Sequence, residues 1–144
     1  MFETYRGVVF PWHCDQMGHL NTRHYAAMFD DAGAHLLHHL GFDLEAGIKD
    51  GIGWADVECR TVYRREAACG ALLLVESAPL KVGRSALTVI HRMQNLSTGQ
   101  LAAEQTVVSV CLDLTRRKSR PLPQVVVARC SAAGILNEQG EPQP

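Results

Sequence analysis

From Tyr25 to Leu40 the apolar side chains fall at Tyr25, Met28, Phe29, Ala32, Leu36, Leu37 and Leu40. Steps of three, four and one keep them on one stripe of a 3.6-residue helix. Asn21 or Thr22 can cap its start, since a short side-chain oxygen accepts from the unpaired N–H groups there. Gly41 suits a left-handed stop. The spacing predicts one helix of about five turns. Gly33, beside Ala32, leaves room for a close approach. Upstream, "ETYRGVVF" is short, rich in strand formers and ended by Pro11.

Past a loop carrying Gly47, Gly51 and Gly53 the period becomes two. In "WADVECRTVYRRE" the face Ala55, Val57, Cys59, Thr61 and Tyr63 alternates with Asp56, Glu58, Arg60, Val62 and Arg64. "ALLLVESAPLKV", "RSALTVIHRMQN" and "LAAEQTVVSVCLDL" follow, each after a glycine-bearing turn. Four strands in succession predict an antiparallel meander. "TRRKSRPLP" breaks the sheet, and "QVVVARC" fits a short strand or a helical turn equally. Residues 1–130 read as one domain, and residues 131–144 as a polar tail expected to fray. The helix stripe needs a cover, and an antiparallel sheet has one apolar face to offer. The expected fold class is α+β, an antiparallel sheet of about five strands wrapped round one long central helix.

The length of 144 residues adds little beyond a single core-forming domain. Charge excludes more. Fourteen Lys and Arg nearly cancel fifteen Asp and Glu, so bulk charge points to neither nucleic acid nor membrane as a partner. No apolar run reaches membrane-span length, and "MFETYRGVVF" lacks a signal pattern, so a cytoplasmic protein is expected. Five cysteines without short pair spacing suit reduced thiols there. Cys14 reads as a small apolar residue rather than a nucleophile.

Candidate chemistry crowds the helix mouth: Asp15, Gly18, His19 and Asn21 lie within seven residues. The stretch "DQMGHLNTRHYAAMFDDA" resembles the signature of hotdog-fold acyl-CoA thioesterases of the 4-hydroxybenzoyl-CoA thioesterase type. The matching residues are Asp15, Gly18, His19, Leu20, Asn21 and Tyr25, and the likeness extends through Tyr63 to "LDLTRRKSRPLP". Ala71 and His13 stand where that pattern often carries acids. The resemblance implies a hotdog fold, hydrolysis of an acyl-CoA to free acid and CoA, no cofactor, and a homodimer or homotetramer.

Such a reaction needs a nucleophile or base beside the carbonyl carbon and donors for the developing oxyanion. The resemblance implies the first role for Asp15. A helix N-terminus offers the second through open N–H groups near Thr22. Gly18 permits a tight turn, His19 tunes Asp15 or meets substrate, and Asn21 caps or holds the loop. By the same resemblance Lys81, Arg84 and Ser85, at a hairpin, meet the CoA phosphates, with Arg64, Arg65 and the 116–120 run as competing cations. In an oligomer Trp54 would approach a partner's helix mouth. Plainer readings accompany these. Asp15 alone reads as a turn or cap residue, His19 as a structural hydrogen-bonder and Tyr25 as core. Asp30 and Asp31 sit mid-helix and read as a solvated or interface face. His35, His38 and His39 lack the acid or cysteine that a metal site needs. Glu58 and Glu76 are alternative bases. Two other functions stay open: a non-catalytic acyl-CoA-binding module, and a hotdog acyl-thioester dehydratase, which needs a histidine paired with an acid.

Overall fold

A computed structural model describes residues 1–135. Strand β1 (Phe2–Val8) leads through a short 3₁₀ turn (Pro11–His13) and a tight loop into α1 (Thr22–His39). Helix α2 (Leu44–Lys49) follows, then β2 (Ile52–Tyr63), β3 (Leu72–Val82), β4 (Ala86–Asn95), β5 (Gln100–Asp113), β6 (Lys118–Ser119) and α3 (Gln124–Ala132). The strands form one antiparallel sheet in the order β1-β3-β4-β5-β2, with β6 paired to the end of β5. Helix α1 lies on it. The expected α+β sheet round a long helix is what the chain adopts.

The helix forms as its pattern predicts. Asn21 caps it, accepting the Arg23 N–H at 3.2 Å, and Tyr25, Met28, Phe29, Ala32 and Leu36 are its buried residues. Gly41 takes φ +84°, and a Cβ there would come within 2.7 Å of Val125. Two core clusters flank α1. Its N-terminal half packs with Val9, Leu20, Leu73, Val75 and Met93. Its C-terminal half packs with Val82, Leu87, Val107, Cys111 and Val126.

Three elements differ from the pattern. First, the meander holds only for β3, β4 and β5; β2 pairs with β5, on the far edge. The segment after Tyr63 is a crossover rather than a hairpin, and Ala67 within it is fully buried. Second, "DLEAGIK" is helical. Asp43 caps α2 by accepting the Ala46 N–H at 3.0 Å, although glycine suggested a loop. Third, "QVVVARC" resolves as helix α3, which extends to Ala132, and Ile135 packs on the core. The start of the expected tail is therefore structured, and its remainder, 136–144, lies outside the described residues. Among the described residues no helix is long and apolar enough to cross a membrane.

One buried polar line crosses the sheet from β1 to β4. The Thr4 hydroxyl donates to the Val75 carbonyl at 3.2 Å and lies 2.6 Å from Ser77 Oγ. Ser77 Oγ in turn lies 2.6 Å from His91 Nδ1. His91 is 1% exposed, and burial lowers its pKa to about 4. The unfolded chain, with an ordinary histidine near 6.5, binds the proton more readily. The contribution of neutral His91 is thus fully present above about pH 6.5 and is lost as pH falls from there toward about 4. Urea unfolding between pH 7 and pH 4 should show a loss on the order of 3 kcal/mol attributable to this residue. His91→Phe should flatten that part of the profile.

Candidate active site

Residues 13–21 close a small hairpin at the helix mouth. Asn21 N–H donates to His13 O at 2.9 Å, Cys14 bridges Leu20, and Asp15 N–H donates to His19 O at 3.1 Å. At its tip the Gly18 N–H donates back to Asp15 O at 3.0 Å, and Gly18 takes φ +80°, which favours glycine. The crossover after β2 anchors this loop from beneath: Leu20 N–H donates to Ala67 O at 2.8 Å, and His19 bridges Ala68. His13 serves the turn before it, its Nδ1 accepting the Phe10 N–H at 3.0 Å.

The Asp15 carboxylate is folded back and held on both oxygens. Oδ1 accepts the Met17 N–H at 2.9 Å, and Oδ2 accepts from Asn21 Nδ2 at 3.1 Å. The Met17 amide first, then the Asn21 amide, lower its pKa, so the carboxylate is ionised at neutral pH. Asn21 therefore does two jobs: its Nδ2 orients Asp15 while its Oδ1 caps α1. The cap takes the Arg23 N–H, and Asn21 O takes the His24 N–H. The Thr22 N–H, ahead of both, has no hydrogen bond among the described residues. An open helix-end donor thus stands beside an ionised carboxylate.

Asp15, His19, Thr22 and Tyr25 line one open cavity of about 600 Å³. Tyr25 is both core and wall: it is buried, and its ring meets Tyr63 edge-on at 5.1 Å. Arg64, Arg65 and Glu66 complete the cavity. Arg64 pairs with Glu104 at 3.0 Å. Glu66 pairs with His19 Nε2 at 3.2 Å. Sequence reasoning passed over Glu66 because it lies on the irregular crossover, where neither helical nor strand periodicity speaks. Cys14 is half-buried, and desolvation, then nearby Cys69, push its thiol pKa up, the wrong direction for a nucleophile.

Four expected site residues lie elsewhere in the protomer. Trp54 is on β2 in a second cavity, with Asp30 and His91. Lys81, Arg84 and Ser85 belong to the β3–β4 hairpin, beside the core cluster of the C-terminal half of α1. That is the opposite end of the helix from Asp15. Of the rival acids, Glu76 accepts from Gln94 at 3.4 Å, and exposed Glu58 flanks an irregularity in β2. Among the described residues no group of His, Cys, Asp and Glu is arranged to hold a metal ion.

No curated protein sequence matches the chain. Solved structures do match its fold. A 1,4-dihydroxy-2-naphthoyl-CoA thioesterase from Synechocystis aligns with a TM-score of 0.78 at 23% identity, covering 88% of this chain and 93% of that one. A DHNA-CoA thioesterase from Staphylococcus aureus aligns at 0.80 and 19% identity, over 95% and 99%. A further Staphylococcus aureus protein, solved in complex with CoA, aligns at 0.82 and 16% identity, over 100% and 90%. The sequence profile of the Thioesterase-like superfamily matches residues 9–130, which takes in the hairpin loop, α1, the crossover and the whole meander. With the hotdog arrangement of sheet and helix, that match makes the chain a member of the Thioesterase-like superfamily.

Proposed function

We propose that the protein is an acyl-CoA thioesterase in which Asp15 is nucleophile or general base and the mouth of α1 is the oxyanion hole. The observation that carries this is the juxtaposition, in one cavity, of an oriented, ionised carboxylate and the open Thr22 N–H. The family match, and the thioesterase names of two structural neighbours, support the reaction class.

Two routes use the same atoms. In the covalent route an Asp15 oxygen attacks the thioester carbon, and the carbonyl electron pair moves to the oxygen facing Thr22 N–H. Collapse expels CoA thiolate and leaves a mixed anhydride, which water hydrolyses to the acid and free Asp15. In the general-base route Asp15 takes a proton from the attacking water and returns it to the departing thiolate. Asn21 positions the carboxylate in either case. Single-turnover hydrolysis in ¹⁸O water separates the routes, since label enters Asp15 only in the first.

Asp15→Asn keeps the shape and removes the charge. It should lower kcat by about 10²–10⁴ with little change in KM. In the wild type the rate should fall as pH drops through the depressed pKa of Asp15, below the ordinary carboxylate value of 3.8. An Asn variant of full rate would remove Asp15 from the chemistry. The His19–Glu66 pair is the histidine–acid couple that a dehydratase needs, and is the specific observation favouring that second reading. Enoyl absorbance rising from a hydroxyacyl-CoA, with no thiol released, would establish it. Binding without turnover of any acyl-CoA would establish the binding module.

We further propose a homodimer, or a homotetramer built from it. Strand β2 is a long edge strand with Val57 63% exposed, and such edges invite pairing. In this reading Lys81, Arg84 and Ser85 serve the CoA of a second copy's site, because their own Asp15 is at the other end of the helix, and Trp54 approaches that copy's helix mouth. Arg64 and Arg65 flank the thioester end within the protomer. Replacing Lys81 and Arg84 together with Ala should raise KM for CoA esters several-fold at unchanged kcat, less so in high salt. A fall in kcat at constant KM would assign the hairpin to the chemistry instead.

A further inference from the structure

Two of the five cysteines, Cys14 and Cys69, meet at the base of the Asp15 loop. The crossover after β2 turns sharply there: Ala71 N–H donates to Ala68 O at 3.1 Å, and Gly70 takes φ +87°. That combination fits a type II turn, whose third residue needs a left-handed backbone. Cys69 is the second residue of the turn and is exposed. The turn is held on both flanks. Gly70 N–H donates to Val9 O at 2.7 Å, His19 bridges Ala68, and Ala67 and Ala71 are buried in the core cluster at the N-terminal half of α1.

Cys14 reaches the same place from the hairpin. It packs against that cluster, and its thiol donates to Phe10 O at 3.7 Å, one residue from the carbonyl that holds Gly70. It also shares a side-chain hydrogen bond with Cys69. With its own proton on Phe10 O, the Cys14 sulfur is the acceptor of that bond. The other cysteines lie apart: Cys111 and Cys130 are buried in the second core cluster, and Cys59 is on β2. The two thiols of the pair differ in access. Cys69 is open to solvent, whereas Cys14 is half-buried and desolvation raises its pKa. A dissolved oxidant therefore meets Cys69 first, and the sulfenic acid formed there has a second thiol already against it.

We propose that Cys14 and Cys69 are an oxidation site, a dithiol that a peroxide closes to a disulfide, and that closure switches off the Asp15 site. With hydrogen peroxide the Cys69 thiolate attacks one oxygen and the O–O bond breaks. Cys69 becomes a sulfenic acid, and the hydroxide released takes up the proton that the thiol gave up. The Cys14 sulfur then attacks the Cys69 sulfur and the S–O bond breaks. The departing hydroxide takes the Cys14 proton, so Cys14 need not ionise beforehand. Two thiols and one hydrogen peroxide give one disulfide and two waters; each sulfur loses one electron, and the peroxide oxygens gain both.

Closure moves the loop that carries Asp15. Unbonded atoms in contact stay about 3.5 Å apart or more, whereas a disulfide is about 2.05 Å long. The bond therefore draws hairpin and crossover together by more than about 1 Å. Asp15 directly follows Cys14, and the Met17 and Asn21 amides hold its carboxylate in one place. A misplacement of about 1 Å costs on the order of a hundredfold in rate. The loss of activity rests on the thioesterase reading of Asp15; the formation of the bond does not.

The test treats the reduced protein with a few equivalents of hydrogen peroxide, then digests it with trypsin without reductant. Cys14 and Cys69 fall in the separate peptides 7–23 and 66–81, each with a single cysteine. The two peptides should appear joined and two hydrogens lighter than their sum. On an acyl-CoA that the reduced protein hydrolyses, kcat should fall by about tenfold to a hundredfold with KM little changed, and dithiothreitol should restore it. Cys69→Ser should match the reduced wild type and keep its rate in peroxide. Cys14→Ala should also keep its rate, and its Cys69 should persist as a sulfenic acid that dimedone labels; this arm serves if the first variant does not fold. No joined peptide, a joined peptide with full activity, or inactivation of Cys69→Ser as deep as that of the wild type overturns the proposal. A reduced protein that hydrolyses no acyl-CoA sinks the thioesterase reading instead. The pair is then decided by the peptide map and by acyl-CoA binding in calorimetry, which closure should weaken; unchanged binding overturns the switch.

Discussion

Met28, Phe29, Ala32 and Leu36 share one face of α1 and must leave water together, and the apolar face of the sheet is what covers them. That single burial sets the geometry of everything functional. It lays α1 along β1, β3 and β4, and so sets where its N-terminus emerges. It also leaves β2, on the far edge beyond β5, without helix cover along much of its length. The site at the helix mouth and the cavity beside the helix are both consequences of how one stripe is buried.

At the mouth, capping and chemistry use the same residue. Asn21 ends the hairpin loop, caps the helix with one side-chain atom and holds Asp15 with the other. A cap normally consumes the positive end of a helix. Here it takes one amide and leaves the preceding Thr22 N–H open. The crossover through Ala67 and Ala68 holds the loop from the sheet side, so the carboxylate is fixed by two independent supports rather than by loop stiffness alone.

Strand β2 shows how one residue redirects a face. Its pairing with β5 slips between Asp56 and Glu58, which leaves Val57 as an extra residue. Trp54 and Asp56 before the bulge then share the inner side with Thr61 and Tyr63 after it. Asp56 and Asp30 both line the cavity, and Asp30's pKa is raised by desolvation first, then by Asp56 and Asp31. Asp30, read from the sequence as part of a solvated or interface face, is exposed and also lines that cavity.

The local features were determined by the sequence alone. The stripe of α1, the Asn21 cap, the Gly41 stop, the alternating strands and the crowding of Asp15, Gly18, His19 and Asn21 all act within a few residues, so they are legible from spacing and residue type. The resemblance carried by "DQMGHLNTRHYAAMFDDA" pointed to the family for the same reason. What joins distant segments was not legible. Uniform alternation in β2 gave no sign of a bulge, since the slip is defined only against β5. The crossover looked like a hairpin because a glycine marks both, and its pairing with His19 and Leu20 depends on where the sheet ends. Lys81 and Arg84 stood near the site in the family pattern, yet within one protomer the length of α1 separates them from Asp15. The hydrogen-bonded line from Thr4 through Ser77 to His91 spans three strands, and only the register of the folded sheet brings those three side chains into contact.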